Sequence, residues 1–364
     1  MNSASDEGQV RTEHRRDAGS PGTDTPRGVK LVIATPLYPP EIGGPATYAK
    51  LLEEGLPGKG VEVEVVKFGE VRHLPKVVRH VAYFWRVFRA VKEADAVIAF
   101  DTWSTGVPAI FAARLRRKKT LVRIGGDFLW ETYLARTRQL VKLSTFYSEE
   151  RALSLKERLL FLGARWVTRR ADALVFNTAW QKDIWEKAYA FDPSKASVIE
   201  NEYPPVRESP PAKGRVFVSA GRPHVLKNRK MLESIFADLK RSFPDIELDT
   251  RVLPPSEHEA RIRDAYAVVM SSVSEVNSNT AIDAIRFGKP FILPYDTGAR
   301  ARLAGVGIFV DTLDATALRK AVEGLLDTEE YRQVSARVRA YAFPHSREEV
   351  TQEFLIILNK LCAY

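Results

Sequence analysis

The segment Ser274-Glu-Val-Asn-Ser-Asn-Thr-Ala-Ile-Asp-Ala-Ile-Arg-Phe-Gly-Lys-Pro290 decides the fold. An apolar run, Ala267-Val-Val-Met270, precedes it and another, Phe291-Ile-Leu-Pro294, follows it. Both read as buried strands. Between them a polar loop, 274–279, leads into a helix expected over about 280–287, which Gly288 and Pro290 close. Strand, loop, short helix and strand make one unit of a parallel α/β sheet. Ligands of such sheets sit beyond the carboxyl ends of the strands, where helix N-termini offer unpaired N–H groups. Glu275 opens this loop and Asp283 stands on the helix. A carboxylate accepts several hydroxyl hydrogen bonds, which is how proteins hold sugars or ribose. The same two acids also fit a solvated loop and an exposed helix face.

At 364 residues the chain is long enough for two domains. No apolar run approaches the ~20 residues that span a bilayer, and residues 1–28 lack the apolar core of a signal peptide. That polar stretch is expected to be a disordered tail. The single cysteine, Cys362, excludes an internal disulfide and a cysteine-rich metal site, so a cytoplasmic location is expected. The net charge of +9 is uneven. Residues 29–205 hold 28 Lys and Arg against 20 Asp and Glu, and residues 206–364 hold 23 against 21. A basic first half suits nucleic acid or an anionic membrane surface. No nucleic-acid-binding signature accompanies it, which leaves a membrane or an anionic acceptor.

The segment from Glu275 to Asp283 resembles the Glu-x7-Glu signature of retaining, nucleotide-sugar-dependent glycosyltransferases of family 4 (group 1), which have the GT-B fold. Asp replaces the second Glu, and the following Ala-Ile-Arg-Phe-Gly-Lys-Pro-Phe-Ile also matches. Other stretches point the same way. Lys30-Leu-Val-Ile-Ala34 reads as a first strand, followed by Pro39-Pro-Glu-Ile-Gly-Gly44 and a helix. Gly43 and Gly44 let backbone approach a ligand, and the loop resembles the one that faces the cleft in this family. Further on, Gly221-Arg-Pro-His-Val-Leu-Lys-Asn228 follows the strand Arg215–Ala220 and resembles the family's diphosphate-binding loop. Arg222 is a planar fork and Lys227 a point charge, a pairing suited to a diphosphate. His224 reads as a loop histidine.

Other features carry more than one reading. Residues 76–92 place Val77, Val81, Phe84 and Phe88 at helical spacing, with Lys76, Arg79, Arg86 and Arg89 around them. The helix either lies on a membrane or lipid-linked acceptor, or packs its stripe into the core; burial is the commoner use. Residues 151–170 read as a basic helix. At the end of the strand Thr120–Ile124 the family usually carries a histidine that contacts the donor sugar. Here Ile124 stands in that place, and Asp127 could supply a polar group on the acceptor side. Phe128-Leu-Trp-Glu131 is an aromatic rim toward the acceptor or a packing element. Residues 243–267 are shorter than the family's, so the groups that read the nucleobase cannot be placed.

The reading is therefore an α/β protein of GT-B type, two Rossmann-like parallel domains across a cleft. Residues 29–205 form the acceptor-side domain and 206–345 the nucleotide-sugar domain, with a linker at 206–214. A terminal helix, 346–364, opened by the capping box Ser346-x-x-Glu349, packs back on the first domain. The resemblance implies sugar transfer to a hydroxyl of a glycan or lipid-linked acceptor in polysaccharide synthesis. Arg222, Lys227 and Glu275 would carry catalysis, with Gly221, Asn279, Thr280 and Asp283 at the donor. No Asp-x-Asp motif occurs and two cations already face the diphosphate, so neither metal nor other cofactor is expected. Alternatives are a catalytically silent nucleotide-sugar-binding partner protein and an epimerase of the same fold. A glycosidase needs two carboxylates flanking a glycosidic bond, whereas these sit on one loop and helix.

Overall fold

The computed structural model describes residues 28–41, 43–221, 223–343 and 345–363, with the side chain of Pro255 left aside. Residues 1–27 of the expected tail, and Arg222, lie outside the described residues.

The first half alternates strand and helix. In order come β1 (Val29–Thr35), α1 (Gly44–Gly55), β2 (Val61–Lys67), α2 (Lys76–Ala90), β3 (Ala96–Ala99), α3 (Gly106–Leu115) and β4 (Lys119–Ile124). Then follow α4 (Phe128–Thr137), α5 (Leu143–Phe146), α6 (Leu155–Arg170), β5 (Ala173–Phe176), α7 (Ala179–Tyr189) and β6 (Ala196–Val198). The inner strands β3, β4 and β5 are apolar on both sides because both faces are covered, whereas β2 alternates Val with exposed Glu62 and Glu64. They pair parallel in the order β2-β1-β3-β4-β5-β6. Alternate residues of β1 enter opposite cores: Val32 and Ala34 pack under α2 and α3, while Leu31 and Ile33 pack under α1.

The second half contains β7 (Arg215–Val218), α8 (Arg229–Leu239), β8 (Ile246–Asp249), α9 (Pro255–Asp264), β9 (Ala267–Val269), α10 (Asn279–Arg286) and β10 (Phe291–Pro294). It continues through α11 (Arg300–Leu303), β11 (Ile308–Val310), α12 (Ala315–Leu326), α13 (Thr328–Ala340) and α14 (Arg347–Cys362). Its sheet is also parallel, ordered β11-β10-β9-β7-β8. Thus the fold is α/β with two facing parallel sheets of GT-B type. The short segment 243–267 holds one strand and one helix, β8 and α9, over residues 246–264.

In each sheet the first strand lies between the second and the third, so chain order reverses beside β1 and beside β7. Ligands of open α/β sheets bind at such reversals, beyond the strands' carboxyl ends. Helix α14 packs on the first sheet's helices. Its Val350, Phe354 and Leu358 are buried with Leu31, Leu52 and Tyr48, and its capping box is formed by Ser346 and Glu349. The chain therefore crosses between the halves twice. The crossings touch: Tyr203 N–H donates to His345 O at 2.8 Å, and Asn201 O lies 2.9 Å from His345 Nδ1.

One expectation changes on α2. Its core-facing residues are Tyr83 and Val87, not the Val77–Val81 stripe. Val77 and Val81 stand outside, and Phe84 and Phe88 are only partly covered.

Candidate active site

Two loops flank the chain reversal of the second sheet, residues 219–228 after β7 and 270–278 after β9. Their side chains meet. Lys227 Nζ lies 2.6 Å from Glu275 Oε1, and Ser272 Oγ donates to the same oxygen at 2.6 Å. Lys227 ends a helical turn, Val225–Lys227, that His224 caps by accepting from Leu226 N–H. Asn228 follows in the left-handed region at φ 44°, redirecting the chain into α8. Gly221 has φ +122°, and a Cβ there would come within 3.1 Å of Lys227 Cε. A side chain at 221 would both strain the backbone and displace the lysine.

Glu275 is fixed by the loop after β10. Its N–H donates to Asp296 O and its carbonyl accepts from Gly298 N–H, each at 3.1 Å. Ser271 Oγ donates to Lys227 O at 2.7 Å, and Thr312 Oγ1 to Ser272 O at 2.6 Å. These bonds hold the backbone on which both partners of the pair stand.

Beside this pair begins α10. Ser278 caps it, accepting from Ala281 N–H at 3.3 Å, so its first N–H groups face the reversal. Asn279 is exposed and Thr280 half-buried. Asp283 lies one turn along and turns toward α9, where His258 Nε2 sits 3.4 Å from its Oδ2. His258 escaped sequence reasoning because α9 could not be placed.

Opposite stand the carboxyl ends of the first sheet. A Cβ on Gly44 would meet nothing within 4 Å, so the start of α1 borders open space. The carbonyl of Gly43 accepts from Ala46 and Thr47 N–H groups and starts α1. Below lies Arg123 of β4, a buried guanidinium that the sequence reading did not single out. It donates to Asn177 Oδ1 at 2.5 Å and Asn201 Oδ1 at 3.1 Å, and lies 3.4 Å from the Tyr48 ring centroid. Burial lowers its pKa. The signal was available: a charge inside the apolar strand Lys119–Ile124. Asn201 then donates to Asn279 Oδ1 at 2.7 Å, linking this floor to the start of α10.

Asp127 does not reach the cleft. It is buried as the cap of α4, accepting from Trp130 N–H at 2.9 Å and Tyr147 OH at 2.7 Å. Burial pushes its carboxyl up to about 6 despite those bonds. Ile124 points into the core, so it contributes no sugar contact. Of the rim, Trp130 packs and Phe128 is exposed.

The halves touch near the pair. Leu129, Trp130, Leu143 and Phe146 form one cluster with Leu226 and Val273. Leu143 N–H donates to Ser274 Oγ at 2.9 Å, and Lys142 pairs with Asp311 at 2.7 Å. Gly298 lies against Thr178 so closely that a Cβ would collide with its side chain. Gly221, Lys227 and Glu275 thus come together beside α10, facing a polar floor across a cleft: a place for an anion with adjoining hydroxyls.

Residues 25–202 match the sequence model of the glycosyl transferase 4-like domain. No curated protein sequence matches the chain. Among solved structures, HepE of Anabaena, in complex with UDP and glucose, aligns with TM-score 0.66 at 13% identity, covering 92% of this chain and 100% of its own. Sucrose-phosphate synthase of Thermosynechococcus elongatus gives 0.69 at 14%, covering 92% and 99%. The lipopolysaccharide outer core galactosyltransferase WaaB gives 0.58 at 14%, covering 91% and 99%. At such identities these likenesses show the fold. Residues 25–202, just under half of the chain, are similar to a glycosyl transferase 4-like domain, and the whole chain shares the GT-B fold of these structures.

Proposed function

We propose that the chain moves a sugar from a nucleoside diphosphate to a hydroxyl of a glycan or lipid-linked acceptor, with retention at the anomeric carbon. The work would serve a cell-surface polysaccharide at the cytoplasmic face of a membrane, with the protein bound peripherally. Among the described residues no helix is long and apolar enough to cross a membrane. The observation that carries the reading is the Lys227–Glu275 pair at the chain reversal, beside the start of α10.

Sugar transfer develops negative charge on the leaving diphosphate, and a fixed cation there lowers the barrier without reorganising. Lys227, with Arg222 and the first N–H groups of α10 near Asn279 and Thr280, takes that role. Glu275 turns its carboxylate to the donor sugar's hydroxyls, and Asp283 holds the ribose with His258 beside it. The acceptor enters from the Gly43–Gly44 side. These cations supply the charge a metal would bring, so the reading assigns none. Because HepE was solved with UDP, a uridine diphosphate sugar is the first donor to test.

The experiment is thermal stabilisation by a panel of nucleoside diphosphates and their sugars, on the native protein and on Lys227→Ala. Ligand bound only to the native state raises the melting temperature. A shift with one nucleotide, lost in Lys227→Ala, supports the donor site; no shift with any nucleotide overturns it. Product anomeric configuration by NMR then tests retention. Buried Ile124 and the shorter Asp283 favour a second reading, a silent nucleotide-sugar-binding partner protein. Nucleotide binding without transfer or donor hydrolysis would select it.

A further inference from the structure

Three helices of the first half carry apolar side chains on their outer faces. Val77, Val81 and Trp85 of α2 are 77%, 52% and 51% exposed, although the same helix already buries Tyr83 and Val87 inward. Helix α6 repeats this: Leu155, Leu159 and Leu162 face out while Leu160, Ala164 and Val167 face the core. A surface helix needs one apolar stripe to dock on its sheet; a second, outer stripe has no packing role in a lone molecule.

The outer faces are continuous. Helix α3 lies between α2 and α6, and its Phe111 stands 5.5 Å from the Phe84 ring and 6.5 Å from Trp166. Nine of the fourteen exposed large hydrophobic residues among those described lie on these three helices, so this is one patch rather than scattered positions. Cations border it: Arg89, Arg114, Arg158 and Arg165 are exposed, and none has an ion-pair partner among the described residues. Neither α2 nor α3 contains an acid, and the one acid of α6, Glu157, is buried against Arg136.

We propose that the α2–α3–α6 face docks on an anionic lipid bilayer. Trp85, Val81 and the α6 leucines enter the boundary between headgroups and acyl chains, and the arginines meet lipid phosphates. The charge selects this occupant. Two copies meeting through this face would oppose uncompensated cations, whereas an anionic bilayer satisfies both the apolar and the charged part. The inference deepens the membrane location proposed above by naming its surface, and it rests on this surface alone, not on the donor site.

The test is co-sedimentation of the full chain with phosphatidylcholine vesicles, with and without phosphatidylglycerol. The native protein should pellet with the anionic vesicles, release in high salt, and bind pure phosphatidylcholine weakly. Val81→Glu with Leu159→Glu should weaken partition at least about tenfold, and Arg89→Ala with Arg158→Ala about 30-fold. All four positions are exposed, so melting temperatures should not move. The nucleotide shift should also persist in both variants, which separates failure of this inference from failure of the donor site. Unchanged partition in both variants, equal binding to uncharged vesicles, or absence of vesicle binding overturns the proposal. So does a dimer in the analytical ultracentrifuge that Val81→Glu dissolves, which would assign the face to a second copy.

Discussion

Replacing Lys227 tests the site most sharply, because its partner supplies an internal control. With a diphosphate in place, the ammonium would exchange some of its bond to Glu275 for phosphate oxygens. Two unit charges about 4 Å apart interact by about 4 kcal/mol at an effective dielectric near 20. Desolvation of the ammonium and its partial exposure to water reduce this, and hydrogen bonds to charged groups net about 1.5–3 kcal/mol. Lys227→Ala is therefore expected to weaken nucleoside diphosphate binding by about 2–3 kcal/mol, roughly 30- to 150-fold in Kd. Part of that loss comes from Glu275, left facing the phosphates with Ser272 as its remaining side-chain donor. Adding Glu275→Gln to Lys227→Ala removes this repulsion and should recover about 1 kcal/mol, a factor near five. Glu275→Gln alone should barely change diphosphate affinity, because the glutamine can still accept from Lys227, but should lower the transfer rate under the proposed role of Glu275 at the donor sugar. Isothermal titration of the four proteins with the sugar-free diphosphate closes the cycle. A double variant no tighter than Lys227→Ala, or a Glu275→Gln protein that loses diphosphate as badly, would refute the reasoning.

Two further outcomes follow from the geometry. Asp127 ionises near pH 6 in the fold but near 3.9 in an unfolded chain. Between those values the folded state binds more protons, so stability falls by about 3 kcal/mol as pH rises from about 4 to about 6, then levels. Asp127→Asn, which still caps α4, should flatten that slope in urea unfolding; parallel slopes would refute it. Gly298→Ala forces a methyl against Thr178 and the Val276 carbonyl, and should cost about 1–3 kcal/mol by denaturant unfolding. An unchanged midpoint would mean these loops do not press together.

Most of the architecture was legible because parallel strands buried on both faces are written as unbroken apolar runs, such as Ala96–Ala99 and Ala173–Phe176. Lys227 and Glu275 were each singled out by the resemblance of their own loop, but that the two side chains pair was not legible, because it depends on how the loops after β7 and β9 meet. The failures have a common cause. Periodicity shows that a helix has an apolar stripe but not which neighbour covers it, so on α2 the buried pair Tyr83 and Val87 was overlooked beside Val77 and Val81. Asp127 looks like a cleft acid in sequence. That Tyr147, twenty residues away, donates to it beneath α4 is a tertiary fact. Arg123 was passed over because its partners Asn177 and Asn201 come from distant strand ends. The contacts of segment 138–150 with the second half leave no local mark at all.

The double crossing has a consequence for synthesis. Helix α14 supplies Val350, Phe354 and Leu358 to the first half's core, yet it follows the whole second half in the chain. The second half lies between, like a cassette set into a loop of the first. On the ribosome, β7 to α13 can close their own core while one face of the earlier sheet still waits, with Leu31, Ile33 and Leu52 uncovered. The half begun first is completed second. A chain arrested before Ser346 would therefore carry a finished second half on an unfinished first. A synthetic peptide of residues 346–364, added in trans, should complete it.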